Sequence, residues 1–442
     1  MFFDLLQRKK IWAIAWPMIL GGLSTPLLGL VDTALLGHIE SSHYLSAVAV
    51  GASVIGLLYW GFGFLRMGTT SLVARQKGRS SFETSPKDNH EDILYRGLLI
   101  ALLSSSLPLL ASPWLIDSIV AWMNASQAID QLSVEYIQLR LYSTPAVFIT
   151  FVITGWLIGA QRTQAALAIA LCANLLNIAL DLLFIGQLGM NSAGAAIASV
   201  LAEYSAAILG LYLISPSLSF RRFYRWQQWL VNHEFRALLQ LNYHLFFRTL
   251  LVLFSLSFFT AQGAAMGDNI VAANAILLQL VMLSAYVMDG FSFAAEALCG
   301  EASGKKDRQA FHWHTLGCGL FVVVTGLLFS CLYFMLGPEI IYLLSNIESI
   351  NNVAKAMLPW LALMPMVGAV AYLFDGVYIG CGAVKAMHIS LWLGILLIYL
   401  PLWWLFQPWQ NHGLWLALLG FTAFRGLSLA FYYPRLLANI HR

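Results

Sequence analysis

The stretch Leu27-Leu28-Gly29-Leu30-Val31-Asp32-Thr33-Ala34-Leu35-Leu36-Gly37-His38 closes the first long apolar run of the chain and sets one carboxylate, Asp32, inside it. The run begins near Ile11 and is long enough to cross a bilayer, which takes about 20 apolar residues in a helix. An ionised Asp at the centre of such a helix costs about 2.5–3.5 kcal/mol, so an acid kept there points to a group that exchanges a proton or a small cation. The rest of the chain has the same character. Its 442 residues are 60% hydrophobic and only 10% charged, against about 25% charged in a soluble protein. Most of the chain is therefore expected in lipid. A formal charge of +3 is too small to suggest a nucleic-acid partner. Cys172, Cys299, Cys318, Cys331 and Cys381 lack metal-ligand spacing and read as small apolar packers. Arg8-Lys9-Lys10 leads into a run too long for a signal-peptide core, so a first membrane helix is expected there, not a cleaved leader.

Twelve spans are expected on length and hydropathy: 11–36, 45–73, 93–121, 133–158, 164–185, 192–214, 236–261, 269–298, 310–336, 351–379, 385–405 and 413–436. The basic residues test that count, because Lys and Arg collect in alternate loops on the cytoplasmic side. Arg8, Lys9 and Lys10 precede the first span; Arg75, Lys77, Arg79 and Lys87 follow the second, and Arg162 the fourth. Arg221, Arg222 and Arg225 follow the sixth, Lys305, Lys306 and Arg308 the eighth, Lys385 the tenth, and Arg435 and Arg442 close the chain. The intervening loops hold neither Lys nor Arg, apart from Lys355 at the outer start of the tenth span. Both termini are thus expected in the cytoplasm.

The chain also repeats itself. Gly155-Trp156-Leu157-Ile158-Gly159 ends the fourth span and Gly376-Val377-Tyr378-Ile379-Gly380 the tenth, with Pro145 and Pro365 at nearly the same distance before them. Ala74…Gly78 and Gly300…Gly304 match in the same way at the ends of the second and eighth spans. The expected fold is all-α and polytopic: two six-helix lobes related by a pseudo-two-fold along the membrane normal, with a cavity between them. The first lobe is expected over 1–214, the second over 236–442, and a cytoplasmic linker over 215–235.

Beside Asp32, the first lobe's intramembrane polar set includes Tyr136, Asn177, Asp181 and Ser199. Asn177 and Asp181 are four apart and share a helix face. If the first and fifth spans pack together, Asp32 and Asp181 form a carboxylate pair that titrates in coupled steps, its proton exchangeable for a cationic substrate. A structural cluster joining helices is the alternative; the cost of buried acids favours function for Asp32 and Asp181, while Ser199 reads as structural. In the second lobe Asp289 and Glu296 share one face of the eighth span, and Arg248 at mid-span needs a partner, for which either acid is a candidate. A structural ion pair and a functional site are both open there. Asp375 is expected to anchor a cytoplasmic helix end, and Arg66 and Arg140 to snorkel. Glu203 and Arg425 are open to mutual pairing. Pro17 and Pro26 interrupt the first span and favour a kink, although prolines are also common in membrane helices. No phosphate-binding loop, zinc-protease motif or nucleophile elbow occurs in the sequence.

Trp16-Pro17-Met18-Ile19 followed by Pro26-Leu27-Leu28-Gly29-Leu30-Val31-Asp32-Thr33-Ala34 and Gly37-His38 resembles the first helix of the multidrug and toxic compound extrusion (MATE) family, within which it looks most like the DinF branch. Supporting stretches are Phe64-Leu65-Arg66-Met67-Gly68-Thr69-Thr70, Asn274-Ala275, Asp289-Gly290-Phe291, Glu296-Ala297 and Asp375-Gly376 through Gly380. The resemblance implies a secondary antiporter, not an enzyme. It would export amphipathic, cationic compounds in exchange for H+ or Na+, as a monomer in a prokaryotic inner membrane, with no cofactor and no bound metal. It places the coupling acid at Asp32, with Tyr136, Asn177 and Asp181 in its hydrogen-bonded cluster and bending of the first helix at Pro17. Ser199 stands where a threonine is more usual. A lipid or lipid-linked saccharide flippase of the same superfamily is the alternative, although the first lobe is lined by acids where a pyrophosphate site would need Arg or Lys. A membrane-embedded transferase would need a reactive cluster near one interface, and the acids here are spread through the spans.

Overall fold

The apolar runs form helices because inside a bilayer every backbone N–H and C=O must be satisfied within its own segment. The computed structural model describes residues 5–37, 42–80, 90–122, 127–218 and 233–440, with the side chain of Asp32 outside that description. Most of the expected linker, 219–232, also lies outside the described residues. The helices are α1 (Leu5–Gly37), α2 (Ser42–Gly61), α3 (Phe64–Arg79), α4 (His90–Trp122), α5 (Gln127–Leu141), α6 (Thr144–Gly159), α7 (Thr163–Asp181) and α8 (Asn191–Ile214). They continue with α9 (His233–Ala265), α10 (Asp268–Gly304), α11 (Arg308–Leu344), α12 (Glu348–Cys381), α13 (Val384–Gly394), α14 (Leu400–Leu405) and α15 (Asn411–Asn439).

Among the described residues ten helices are long and apolar enough to cross a membrane, with α2 and α3 counted as one. The pair α5–α6, bent by 49° at its break, makes an eleventh. With the 33 residues of α1 the count reaches the expected twelve. The α5–α6 break falls beside Pro145, which has no N–H to continue the ladder. Pro365 instead lies within α12, which runs unbroken from Glu348 to Cys381. α1 likewise stays helical through Pro17 and Pro26.

The chain forms two units. One comprises Leu20–Val73 and Lys87–Leu239, where α7 packs on α8, α2 on α5 and α4 on α6. The other comprises Met1–Ile19, Ala74–Pro86 and Gln240–Arg442, built around α12, which packs on α10, α11 and α15. In that second unit the Asp307 side chain caps α11 by accepting from the Ala310 N–H at 2.9 Å. Gly382 ends α12 in the left-handed region at φ +76°. The core of this unit holds Phe259, Tyr333, Tyr399 and Trp415, all buried. Its tyrosine hydroxyls are satisfied by backbone: Tyr333 donates to the Leu280 carbonyl at 2.6 Å and Tyr399 to that of Ser255 at 2.9 Å.

The glycine repeat has a structural meaning. A Cβ at Gly155 of α6 would strike the Arg66 carbonyl of α3. A Cβ at Gly376 of α12 would strike the Ser292 carbonyl of α10. The same close backbone crossing is thus made once in each unit, between corresponding spans. Small residues let membrane helices approach this closely.

Candidate ion-coupling site and the buried charges

In the first of these units, α7 presents Asn177 and Asp181 on one buried face, 2% and 1% exposed. Oriented with its nitrogen toward Asp181, the Asn177 amide donates to Oδ2 at 3.2 Å, and its oxygen accepts from the Ser199 N–H of α8 at 3.0 Å. One amide therefore ties the acid to the neighbouring helix. Immediately beyond Asp181 the helix widens into a π segment, Leu182–Gln187, a distortion that is frequent at functional sites. Tyr136 of α5 is buried with its ring against Gly51 of α2, where any side chain would collide with it. It packs with Val48, Ile185, Ala195 and Ala196.

α1 runs beside α7 in the same direction. Gly21 faces Leu167 and Ala170, and the Asn174 amide donates to the Ser24 hydroxyl at 2.6 Å. About two turns beyond Ser24 lies position 32, and about two turns beyond Asn174 lies Asp181. The packing thus brings the backbone of residue 32 level with Asp181.

The same unit contains an ion pair that sequence reasoning missed. Arg140 of α5 is buried and grips Glu203 of α8 with both terminal nitrogens, NH1 to Oε2 at 2.8 Å and NH2 to Oε1 at 3.0 Å. The Ser143 hydroxyl lies 3.2 Å from NH1, and the Tyr59 hydroxyl of α2 lies 2.8 Å from Ser143 and donates to the Arg140 carbonyl at 3.1 Å. Two expectations are corrected here: Arg140 does not snorkel, and Glu203 is paired with Arg140, not Arg425. The available signal was that an acid at mid-span needs a cation within its own half of the chain.

In the other unit, Asp375 of α12 forms ion pairs with Arg248 of α9 and with Arg425 of α15, the latter at 3.2 Å. Arg425 also lies over the Tyr372 ring at 5.8 Å. Asp375 thus joins three helices inside the unit and is not an anchor for a helix end; it is also the partner that Arg248 needed. Asp289 is within electrostatic range of Tyr372 and of Tyr286. Glu296 is 1% exposed on α10, its backbone directly beneath Gly380. A carboxylate held between two guanidiniums is committed as a fixed countercharge, whereas Asp181 is held by an amide.

The MatE family model matches the chain twice, over residues 17–183 and 245–405, one stretch in each half. The chain is 37% identical over 442 residues to DNA damage-inducible protein F of Escherichia coli (strain K12), covering 98% of this chain and 94% of that one. The solved outward-facing conformation of a multidrug resistance MATE family transporter of the MOP superfamily superposes with a TM-score of 0.87 at 19% identity, covering 98% and 96% of the two chains. A MOP superfamily transporter from Pyrococcus furiosus, whose reverse polarity of binding pocket suggests a different function for that protein, also gives 0.87 at 19% identity, covering 99% and 97%.

Proposed function

Because the chain belongs to the MatE family, we propose that it is a multidrug efflux transporter working as a secondary antiporter, exporting amphipathic cations in exchange for H+ or Na+. The observation that carries this reading is the Asn177–Asp181 pair on α7, buried at the level of the backbone of residue 32 in α1. Two carboxylates brought together in an apolar medium do not readily hold two charges at once. One charge is neutralised by the coupling ion or by a cationic substrate, and the two occupants therefore compete. Competition of that kind is the thermodynamic requirement for exchange, since each ligand shifts the other's affinity by the same factor. Asn177 keeps Asp181 in position through either state, because its amide hydrogen bonds to Asp181 and to the Ser199 backbone do not require a charge on the acid.

The protein sits in the inner membrane of a prokaryote with both termini cytoplasmic, as the alternation of basic loops supports. It acts as a monomer with the coupling ion in place of any cofactor. Bending of α1 at Pro17 and Pro26 belongs to the same proposal. Reconstituted vesicles with separately imposed proton and sodium gradients, loaded with a fluorescent cationic dye, test it. The gradient that drives dye movement names the ion, and Asp32→Asn and Asp181→Asn are expected to lose gradient-driven export while inserting normally. Full export by Asp32→Asn would remove the coupling role.

A further inference from the structure

The basic ends of α1, α3 and α10 converge on one carboxylate. Glu301, in the last turn of α10, lies 2.5 Å from Lys305 through Oε1, and 3.7 and 3.8 Å from Lys10 and Lys77 through Oε2. An acid in the last turn opposes the helix dipole, so helix energetics alone does not favour it there. Its position answers ammonium groups arriving on α1 and α3 as well as its own helix.

Beneath these charges α3 and α10 touch backbone to backbone. A Cβ at Gly78 would strike the Glu301 carbonyl oxygen, and a Cβ at Gly304 would strike that of Arg75. The two contacts are repeat counterparts, each glycine lying on the carbonyl three residues before the other. The Arg75 guanidinium in turn covers Gly382, where a Cβ would meet Cζ at 2.8 Å. Glycine faces meeting flat have no interdigitated side chains to unpack when they part. The three lysines are 33–45% exposed, and Glu301 is 12% exposed.

We infer that Glu301 with Lys10 and Lys77 is the clasp of a cytoplasmic gate, closed in this conformation, whose seat is the reciprocal Gly78–Gly304 crossing. The inference rests on the transport reading: uptake of cargo from the cytoplasm requires the ends of α1 and α3 to leave α10. Partly exposed ion pairs are individually weak, so the two that cross between helices, to Lys10 and to Lys77, together bias the closed state by roughly three- to tenfold, enough to hold the gate and little enough to release it. The pair to Lys305 stays within one helix end and is kept in both states.

The test is a distance measurement in liposomes by pulsed electron spin resonance. Spin labels are placed at Ser80→Cys and Gln309→Cys, both exposed positions beside the clasp, with the five native cysteines replaced by Ser. The parent is expected to show one short population and Glu301→Gln to add a longer one, a shift in the closed-to-open ratio of roughly three- to tenfold. Glu301→Asp stays close to the parent. Raising salt to about 1 M lengthens the parent's distribution and brings it toward that of Glu301→Gln, in which only the repulsion among Lys10, Lys77 and Lys305 is left to screen. Gly78→Val shifts the population further open; if it fails to fold, the near-isosteric Glu301→Gln carries the test. A Glu301→Gln distribution superimposable on the parent at both salt concentrations overturns the clasp. Since the readout does not depend on dye transport, that result leaves antiport standing, and a failure of gradient-driven export in the parent leaves the distances to judge the clasp alone.

Discussion

Glu203→Leu is the most discriminating perturbation of the buried charges. It strips Arg140 of two charge-assisted bonds, at 2.8 and 3.0 Å, and leaves the guanidinium with the Ser143 hydroxyl at 3.2 Å and the Tyr59 ring at 5.8 Å. Breaking a buried ion pair from one side costs about 3–5 kcal/mol, because the remaining charge stays desolvated. Glu203 is 23% exposed on its side chain and Arg140 11%, so water reaches the site in part and the loss is set at about 3 kcal/mol. Glu203→Gln keeps an acceptor and loses the charge, for about half that cost. The double variant Arg140→Met/Glu203→Leu replaces both charges with apolar volume and is expected within about 1 kcal/mol of the parent. The coupling energy of the cycle is then about 2 kcal/mol or more. SDS-driven unfolding in mixed micelles, followed by tryptophan fluorescence, measures the four corners of the cycle (parent, Glu203→Leu, Arg140→Met and the double variant) together with Glu203→Gln. A coupling energy under about 0.5 kcal/mol would falsify the assignment, since Arg140 would then be solvated without Glu203.

Asp375→Asn removes the carboxylate that Arg248 and Arg425 share, and the same unfolding assay is expected to show a loss of about 3 kcal/mol, larger than the loss from Arg425→Met. Gly376→Val forces α12 away from the Ser292 backbone and is expected to cut the yield of monodisperse protein on size exclusion, while Gly56→Ala, with nothing within 4 Å, stabilises by about 0.5–1 kcal/mol. Tyr399→Phe removes the hydroxyl bonded to the Ser255 carbonyl and costs about 1 kcal/mol, read by the shift in unfolding midpoint. Asn177→Leu is expected to abolish gradient-driven dye export as fully as Asp181→Asn, since the acid loses its tie to α8; export at parental rate would show that Asp181 needs no such tie.

The fold was legible because the membrane imposes one-dimensional rules on a sequence. Span length, the alternation of basic loops and the paired glycines each depend on position along the chain, and together they lead to twelve helices in two related halves. Asn177 and Asp181 were legible for the same reason: a spacing of four within one helix fixes a shared face. Pairings between helices were not. Arg248 finds Asp375, and Arg140 finds Glu203, because of helix rotation and depth, which no single-chain spacing encodes. Nor did the sequence announce the π turn after Asp181, since a one-residue change in hydrogen-bond register leaves composition untouched. Glu301 went unremarked because an acid among loop lysines reads as ordinary solvated charge until the helix ends are brought together.

The crossing made by Gly155 on Arg66 and by Gly376 on Ser292 bears on how the two halves diverged. In each pair the atom nearest the glycine is the partner's carbonyl oxygen, so backbone sets the approach first, although the Ser292 hydroxyl also lies 2.7 Å from where a Cβ at Gly376 would stand. An ancestral duplication that preserved the glycines therefore left the opposite position able to change, provided its side chain stayed small or turned away from the crossing. One copy now carries a guanidinium there and the other a hydroxyl. The glycine acts as the inherited constraint, and the residue across from it as a site where each half was at liberty to acquire chemistry of its own.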